Sequence, residues 1–205
     1  MAKKGTIYIR KDLGVGFIPI PKNGSSTIRG FFFDWDPMKS GDHFNFIESP
    51  DILKNIRVIA ILSDPEIRFS RGITEVINRS ESSTKIRTPE FNRCNNTECE
   101  VNSILNQIED IGFYDAHIKP QIYFITDNKG YILESLEIWL LKDLTTKIRE
   151  IDPRYNGKKE WSKGNMKNKY LDSIKGSNKL KCRLMSFYEK DYLLYNSIIQ
   201  SQTKQ

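Results

Sequence analysis

The feature that most constrains the fold is a continuous apolar run at residues 57–62, Arg-Val-Ile-Ala-Ile-Leu, which is followed by Pro65. Apolar residues without polar alternation are typical of a strand that is buried on both faces of a parallel sheet. Proline suits the first turn of a helix, because its missing N–H group is not needed there. The run therefore predicts a central parallel strand that leads directly into a helix.

A second strand-to-helix passage precedes this run. Residues 6–10 and 16–20 are short β-branched or aromatic runs around Lys-Asp-Leu-Gly, and they predict a hairpin whose second strand is buried. The following residues, Pro-Lys-Asn-Gly-Ser-Ser-Thr, form a breaker and cap cluster in which Ser25 or Ser26 caps a helix over residues 28–32. Two such passages favour an α/β domain with a mainly parallel sheet.

The middle of the chain is assigned from the spacing of its apolar residues. Helical spacing predicts a helix at residues 101–108. Residues 121–125 and 131–133 predict two strands that are joined by a tight turn at residues 127–130. Residues 139–148 predict an amphipathic helix.

The length of 205 residues favours one enlarged domain, residues 1–205, with three special segments. Residues 78–100 are rich in Ser, Thr, Asn and charge and are expected to form a surface excursion. Residues 154–183 hold ten basic and two acidic residues, so they carry more than the whole net charge of +6. This indicates an anionic ligand at one place, with a solvated lysine-rich loop as the alternative. Apolar residues at three- and four-residue steps predict a C-terminal helix at residues 184–200.

The composition argues against a membrane protein and against a disulfide scaffold. The apolar runs are far shorter than the ~20 residues that a membrane span needs, and the first five residues lack the apolar stretch of a signal peptide. A soluble cytoplasmic protein is therefore expected. The spacing of Cys94 and Cys99 suits half of a zinc site, but no second Cys/His pair follows, and Cys182 stands apart. No structural metal is predicted.

The loop at residues 22–27 has the chemistry of an anion site. Consecutive N–H groups at a helix start point outward, the helix dipole adds positive charge, and glycine lets the backbone approach a ligand. The order differs from a Walker A loop, because the lysine precedes the glycine and hydroxyl residues follow it. An ordinary capped helix start is the alternative. The predicted ligand contacts are Lys22, Asn23, Gly24, Ser25, Ser26 and Thr27.

Four segments, in this order, resemble the sulfotransferases that use 3′-phosphoadenosine-5′-phosphosulfate (PAPS), particularly the carbohydrate branch. Residues 20–27 look like their 5′-phosphosulfate loop, and residues 62–68, Leu-Ser-Asp-Pro-Glu-Ile-Arg, look like the motif that contacts the 3′-phosphate. Residues 115–121 resemble the Asp-x-His-x-x-Pro-Gln element, and residues 187–195 resemble the terminal helix. The resemblance implies a three-layer P-loop-like fold in which PAPS is the donor, no metal is needed and a hydroxyl is the acceptor. A glycan is the expected acceptor, and tyrosine, lipid and small alcohols stay open.

The family pattern is altered at the predicted 3′-phosphate contacts. The first arginine of that motif is Ser63 here, and its serine is Arg71, so the two residue types have exchanged places. If Ser63 ends the strand and Arg71 lies two turns into the helix, both face one phosphate; a surface arginine is the alternative. Residues 159–170 resemble a basic signature of cytosolic sulfotransferases. That likeness adds the nucleotide contacts Lys159, Lys163 and Gly164.

Sulfuryl transfer needs a donor held in line, a base for the acceptor proton and positive charge at the leaving oxygen. Lys22 is expected to supply that charge. The resemblance implies His43 as the base, with Glu48 in reserve, and places His117 at the acceptor. A non-catalytic protein that binds a polyanion is the alternative from another class, although nucleic acid is not an expected partner. An ATP-dependent kinase is disfavoured by the missing Walker order.

Overall fold

The computed structural model describes residues 3–33, 43–82, 94–153, 155 and 168–203. Over these residues the protein is α/β, with a five-stranded mixed sheet and flanking helices. The chain forms two compact units, of which one comprises Met1–Ser63 and Gln121–Lys163, and the other Asp64–Pro120 and Gly164–Gln205. The first unit contains the sheet and the second is helical. In the described ranges, none of the helices has the length and apolar character to cross a bilayer.

The sheet has the strand order β3-β1-β2-β4-β5. Its strands are β1 (Thr6–Arg10), β2 (Val15–Ile18), β3 (His43–Asn45), β4 (Arg57–Leu62) and β5 (Leu136–Leu140). β1 is antiparallel to both β2 and β3, with Tyr8 opposite Phe17 on one side and His43 on the other. β2, β4 and β5 run parallel to one another. The α/β class and the central parallel strand at residues 57–62 are therefore confirmed, and the sheet as a whole is mixed.

Eight helices occur in the described residues: α1 (Ser25–Phe33), α2 (Pro65–Ser82), α3 (Thr97–Ile111), α4 (Ile122–Ile125), α5 (Leu144–Ile151), α6 (Lys169–Gly176), α7 (Asn178–Phe187) and α8 (Glu189–Gln202). Short 3₁₀ turns cover Lys11–Leu13, Pro50–Leu53 and Leu141–Asp143. The expected hairpin of β1 and β2, the helix after the glycine loop and the helix that opens at Pro65 are all present.

One face of the sheet packs on α1 and α5. Phe17 from β2 and Ile59 from β4 share a core with Ile28 from α1 and Ile148 from α5. Trp139 from β5 completes this core, with its ring 5.6 Å from that of Phe17 in an edge-on contact. The strands of both strand-to-helix passages, β2 and β4, are therefore buried in the first unit.

The second unit is built around the α2 helix, whose Phe69 and Ile73 lie in a core shared with α3, α6, α7 and Tyr188. A charge lies within this unit as well, because Arg68 is only 1% exposed. Burial lowers the pKa of the Arg68 guanidinium, while the charges of Tyr188 and Asp191 act in the opposite direction. Arg68, which falls in the predicted 3′-phosphate motif, is therefore part of the interior.

Two assignments in the middle of the chain are wrong. Residues 139–148 do not form one helix, because β5 pairs with β4 as far as Leu140 and α5 begins only at Leu144. Residues 121–125 are not a strand, since Ile122–Ile125 is a single helical turn. The expected turn at residues 127–130 is present. Residues 131–133, however, form only an isolated bridge, between Ile132 and Thr126, and not a strand. Short apolar runs fit a strand and a buried helix equally well, and tertiary packing decides between them.

Two further segments differ from the helices that were expected. The α2 helix continues to Ser82, and α3 begins at Thr97 with Asn96 as its cap, so the expected excursion at residues 78–100 is helical at both ends. The expected C-terminal helix is two helices that meet at Tyr188. Tyr188 is buried and packs on Phe69 and Phe113, with ring centroids 5.4 Å away in each case, which fixes the break.

Candidate anion site at the end of strand β2

The loop between β2 and α1 passes twice through left-handed backbone conformations. Lys22 has a φ of 68° and Gly24 a φ of 75°. Within the described part of the chain, Lys22 is the one residue other than glycine with a positive φ. A residue with a β-carbon adopts this conformation at a cost of about 1–3 kcal/mol, and such residues cluster at ligand sites. The surrounding contacts must therefore hold Lys22 in place.

Gly24 is required by packing as well as by its backbone conformation. A β-carbon at this position would lie 2.5 Å from Cδ2 of Leu144 and 3.0 Å from Cδ1 of Leu141. These leucines belong to the start of α5 and the turn before it. The loop is thus seated directly on α5, with no room for a side chain.

The first turn of α1 presents open backbone N–H groups. Its first hydrogen bond runs from the Ile28 N–H to the Gly24 carbonyl at 3.0 Å, which makes Gly24 the capping residue. Glycine has no side chain with which to cap, and no acceptor in the described ranges receives the N–H groups of Ser25, Ser26 or Thr27. Four other helices, α2, α3, α6 and α7, have a side-chain oxygen on their first N–H groups. The start of α1 therefore keeps donors and partial positive charge for an anion.

Asn23 ties the loop to the neighbouring strand. Its Nδ2 donates to the Ile61 carbonyl at 2.7 Å and to Oε1 of Gln121 at 2.5 Å. Gln121 Oε1 also accepts from the Ser63 N–H at 2.9 Å, and Gln121 Nε2 donates to the Ser63 carbonyl at 2.9 Å. All three residues are less than 5% exposed. The loop after β2 and the end of β4 are therefore joined by one buried amide network.

This network makes Asn23 a positioning residue. Two acceptors converge on its Nδ2, which fixes the orientation of the amide. Its Oδ1 is buried and lacks a hydrogen-bond partner in the part of the chain that the structure describes. An oxygen accepts hydrogen bonds and repels an anionic oxygen, so the Asn23 side chain does not suit an anion contact, whereas N–H groups and an ammonium group such as that of Lys22 do.

The two predicted 3′-phosphate contacts, Ser63 and Arg71, differ in burial and lie in different units. Ser63 directly follows β4 and is 4% exposed, with its backbone N–H and carbonyl taken by Gln121. Arg71 lies two turns into α2 and is exposed on the second unit. Lys159, Lys163 and Gly164 lie outside the described residues.

The expected base and its reserve follow each other along the edge of the sheet. His43 is the first residue of β3, and its backbone is opposite Tyr8, which is in turn opposite Phe17 of β2. Glu48 is exposed in the turn after β3, where its Oε1 accepts a hydrogen bond from Nδ2 of Asn45 at 2.7 Å. Both residues thus belong to the first unit, as the anion loop does.

His117 is held by a neighbouring carboxylate in the second unit. Oδ1 of Asp115 lies 2.7 Å from Nδ1 of His117 and accepts the His117 backbone N–H at the same distance. Burial acts to raise the pKa of Asp115, but the hydrogen bonds from His117 and the charge of Arg79 outweigh it, so this pKa is lowered. The ionised carboxylate favours the imidazole tautomer that has its proton on Nδ1, which leaves Nε2 as an acceptor. The backbone of His117 also lies directly against α2, since a β-carbon on Gly72 would overlap with its carbonyl oxygen.

Three of the five basic residues in the described part of the basic segment are paired with carboxylates of their own unit. Nζ of Lys169 lies 3.0 Å from Oε2 of Glu100, and Nη2 of Arg183 lies 2.9 Å from Oε2 of Glu109. Arg183 also donates to Oδ1 atoms of Asn102 and Asn106. The described portion of this segment therefore interacts with its own unit and leaves less charge for an extended polyanion.

Gln121 and Asp115 are the site residues that sequence reasoning missed. Both lie in the Asp-x-His-x-x-Pro-Gln element, from which only His117 was selected. For Gln121, the signal in the sequence was its position between Pro120 and the apolar residues of α4. An amide that is buried at such a position needs a hydrogen-bond partner.

We predict that replacing Gln121 destabilises the first unit. Gln121→Ala and the similarly sized Gln121→Met both remove the amide that serves the Ser63 backbone and Asn23. A buried polar group without a partner costs about 1–3 kcal/mol, so the free energy of unfolding should fall by more than about 2 kcal/mol in urea titrations. Gln200→Ala, on the exposed face of α8, is the control. Unchanged stability in both Gln121 variants would contradict the network.

No cluster of three or more candidate metal ligands is found in the described ranges. Comparison of the chain with protein-family models, curated proteins and solved structures gives no match. The likeness of four short segments to sulfotransferases therefore remains a prediction, and function must be inferred from the loop and its surroundings.

Proposed function

We propose that this protein is a sulfotransferase that moves a sulfuryl group from PAPS to an acceptor hydroxyl, expected on a carbohydrate. The observation that carries the proposal is the open first turn of α1, with Gly24 as its cap and Lys22 in a left-handed conformation beside it. A helix start of this kind favours a tetrahedral anion, because several N–H donors and the dipole act on one point.

The reaction uses each of these parts. The acceptor oxygen attacks sulfur in line, and the bond between sulfur and the bridging phosphate oxygen breaks. The products are the sulfate ester and adenosine 3′,5′-bisphosphate, and the acceptor proton passes to a base. Negative charge develops on the bridging oxygen, where the Lys22 ammonium and the loop N–H groups stabilise it.

The sheet topology supports a nucleotide at this position. The loop lies at the carboxyl end of β2, which is parallel to β4 and β5. In open α/β sheets, ligands bind outside the carboxyl ends of the strands. The three-layer P-loop-like arrangement belongs to this proposal, as do Ser63, Arg71, Lys159, Lys163 and Gly164 as nucleotide contacts.

A kinase that uses ATP and Mg²⁺ fits the described residues less well. Such enzymes hold the metal with a carboxylate that follows a strand. Asp64 follows β4, but its Oδ1 accepts the N–H groups of Glu66 and Ile67 at 2.8 and 3.1 Å and so caps α2. Together with the order of the loop residues, this favours a sulfuryl donor.

We assign the base to His43 and the acceptor side to His117. The pairing of β3 with β1 and of β1 with β2 puts the His43 backbone two strands from Phe17, or about 10 Å at the usual strand spacing. His117 has its imidazole oriented by Asp115, which suits a hydrogen bond that an acceptor hydroxyl donates to Nε2. Glu48 is the reserve base.

The first test is the binding of adenosine 3′,5′-bisphosphate. A ligand that binds only the native state stabilises it by RT ln(1 + [L]/Kd), so the bisphosphate should raise Tm in a thermal melt. ATP with Mg²⁺ should raise it much less. Equal shifts from both nucleotides would favour a kinase. Absence of any shift at millimolar bisphosphate, together with salt-sensitive binding of a polyanion, would favour a non-catalytic binding protein.

The second test is the removal of the Lys22 charge. Loss of one electrostatic contact to the leaving oxygen typically lowers turnover ~10²–10³-fold, and we expect that loss in Lys22→Ala. Lys22→Gly should lose as much, although glycine accepts the positive φ without strain, because the missing charge decides the rate. Lys54→Ala, at an exposed lysine of the same unit, is the control. Near-normal turnover in both Lys22 variants would place the sulfuryl group elsewhere.

The third test separates the two histidines. His43→Ala should lower kcat by ~10²–10⁴ with little change in donor affinity, as expected for loss of a general base. His117→Ala should act mainly on the KM of the acceptor or on stability, because it also removes the hydrogen bond to Asp115. If His43→Ala keeps turnover within about threefold of wild type, the assignment fails, and Glu48→Gln and His117→Ala decide which group is the base.

A further inference from the structure

Two of the three cysteines lie nearly within bonding distance of each other. The Sγ atoms of Cys94 and Cys99 are 2.8 Å apart, compared with about 2.05 Å in a disulfide bond. Both side chains are thiols and partly exposed, so reagents in solution can reach them. Cys182 is exposed on α7 and provides an internal comparison.

The local fold holds this pair together. Cys99 lies in the first turn of α3, where its N–H donates to Oδ1 of Asn96 at 2.9 Å. The Glu100 N–H donates to the Asn96 carbonyl at 3.1 Å, so Asn96 fixes the start of the helix twice. Because the chain is short between the two cysteines and is already folded back, little conformational entropy is lost when the ring closes.

A metal is a poorer partner for these thiols. Zinc usually takes four protein ligands in a structural site. The described residues bring no third histidine, cysteine or carboxylate into a group with this pair. Two sulfurs at this separation therefore favour bond formation with each other.

We propose that Cys94 and Cys99 form a redox-active dithiol, which low-molecular-weight disulfides oxidise to an intramolecular disulfide. One thiolate attacks the reagent RSSR, forms a mixed disulfide and releases one RSH. The second thiolate attacks the protein sulfur of that mixed disulfide and releases the second RSH. Two protein thiols lose two hydrogens and two electrons, and RSSR gains them. This site is independent of the proposed sulfuryl transfer.

The test is equilibration of the full-length native protein with an equimolar mixture of oxidised and reduced glutathione. After acid quenching and alkylation, the number of reactive thiols should fall from three to one. The intact mass should fall by that of two hydrogen atoms, and peptide mapping should find a link between Cys94 and Cys99. Excess dithiothreitol should restore all the thiols.

Matched variants make the outcome specific. Cys182→Ser should form the same link, because the exposed cysteine takes no part. Cys94→Ser leaves Cys99 without a partner thiol, so Cys99 should accumulate glutathione instead of losing hydrogen. Three alkylated thiols in the wild-type protein after equilibration would overturn the proposal, as would stable glutathione on Cys94 or Cys99. These readouts involve neither PAPS nor an acceptor, so failure here leaves the proposed transferase activity untouched.

Discussion

The side-chain amide of Gln121 is the link on which the candidate site depends. It forms two hydrogen bonds with the backbone of Ser63, where β4 ends, and accepts a third from Asn23, in the loop that follows β2. Asn23 in turn donates to the carbonyl of Ile61. Without these bonds, the ends of two parallel strands would bury unpaired polar groups next to the left-handed backbone of Lys22. A residue far along the chain thus fixes the shape of an early loop.

The residues of the candidate site differ in their burial. Asn23, Ser63 and Gln121 are buried and bonded to one another, whereas Ser26 is exposed and Lys22 half-buried. The second unit repeats this division. His117 is oriented by Asp115, and the next residue, Ile118, accepts a hydrogen bond from the hydroxyl of Tyr188. Buried hydrogen bonds of this kind fix the orientation of neighbouring side chains, which a precise binding site requires.

Local signals explain which parts of the fold could be predicted. The strand at residues 57–62 and the helix at Pro65 follow from an uninterrupted apolar run and from the fixed ring of proline. The strand has the expected bounds and the helix the expected start, but the helix continues to Ser82, into the expected excursion. The strand Leu136–Leu140 was missed because the helical spacing of α5 extends back to Leu140 by chance. The loop residues were selected one by one from their chemistry, and their role as ligand contacts stays a prediction. Gln121 was not, since its partners are 58 and 98 residues away and no spacing encodes them.

The net charge of +6 does not by itself favour the basic segment over the start of α1 as the candidate anion site. Lys169 and Arg183 in the described part of the basic segment face Glu100 and Glu109, so much of their field is cancelled within their own unit. The start of α1 contributes no formal charge, yet its N–H groups and dipole act together at one point. Within the described loop, Lys22 adds a full charge at this point. We therefore propose a compact anion rather than an extended polyanion as the ligand of the loop, because fixed donors around one point match a tetrahedral group better than dispersed lysines do.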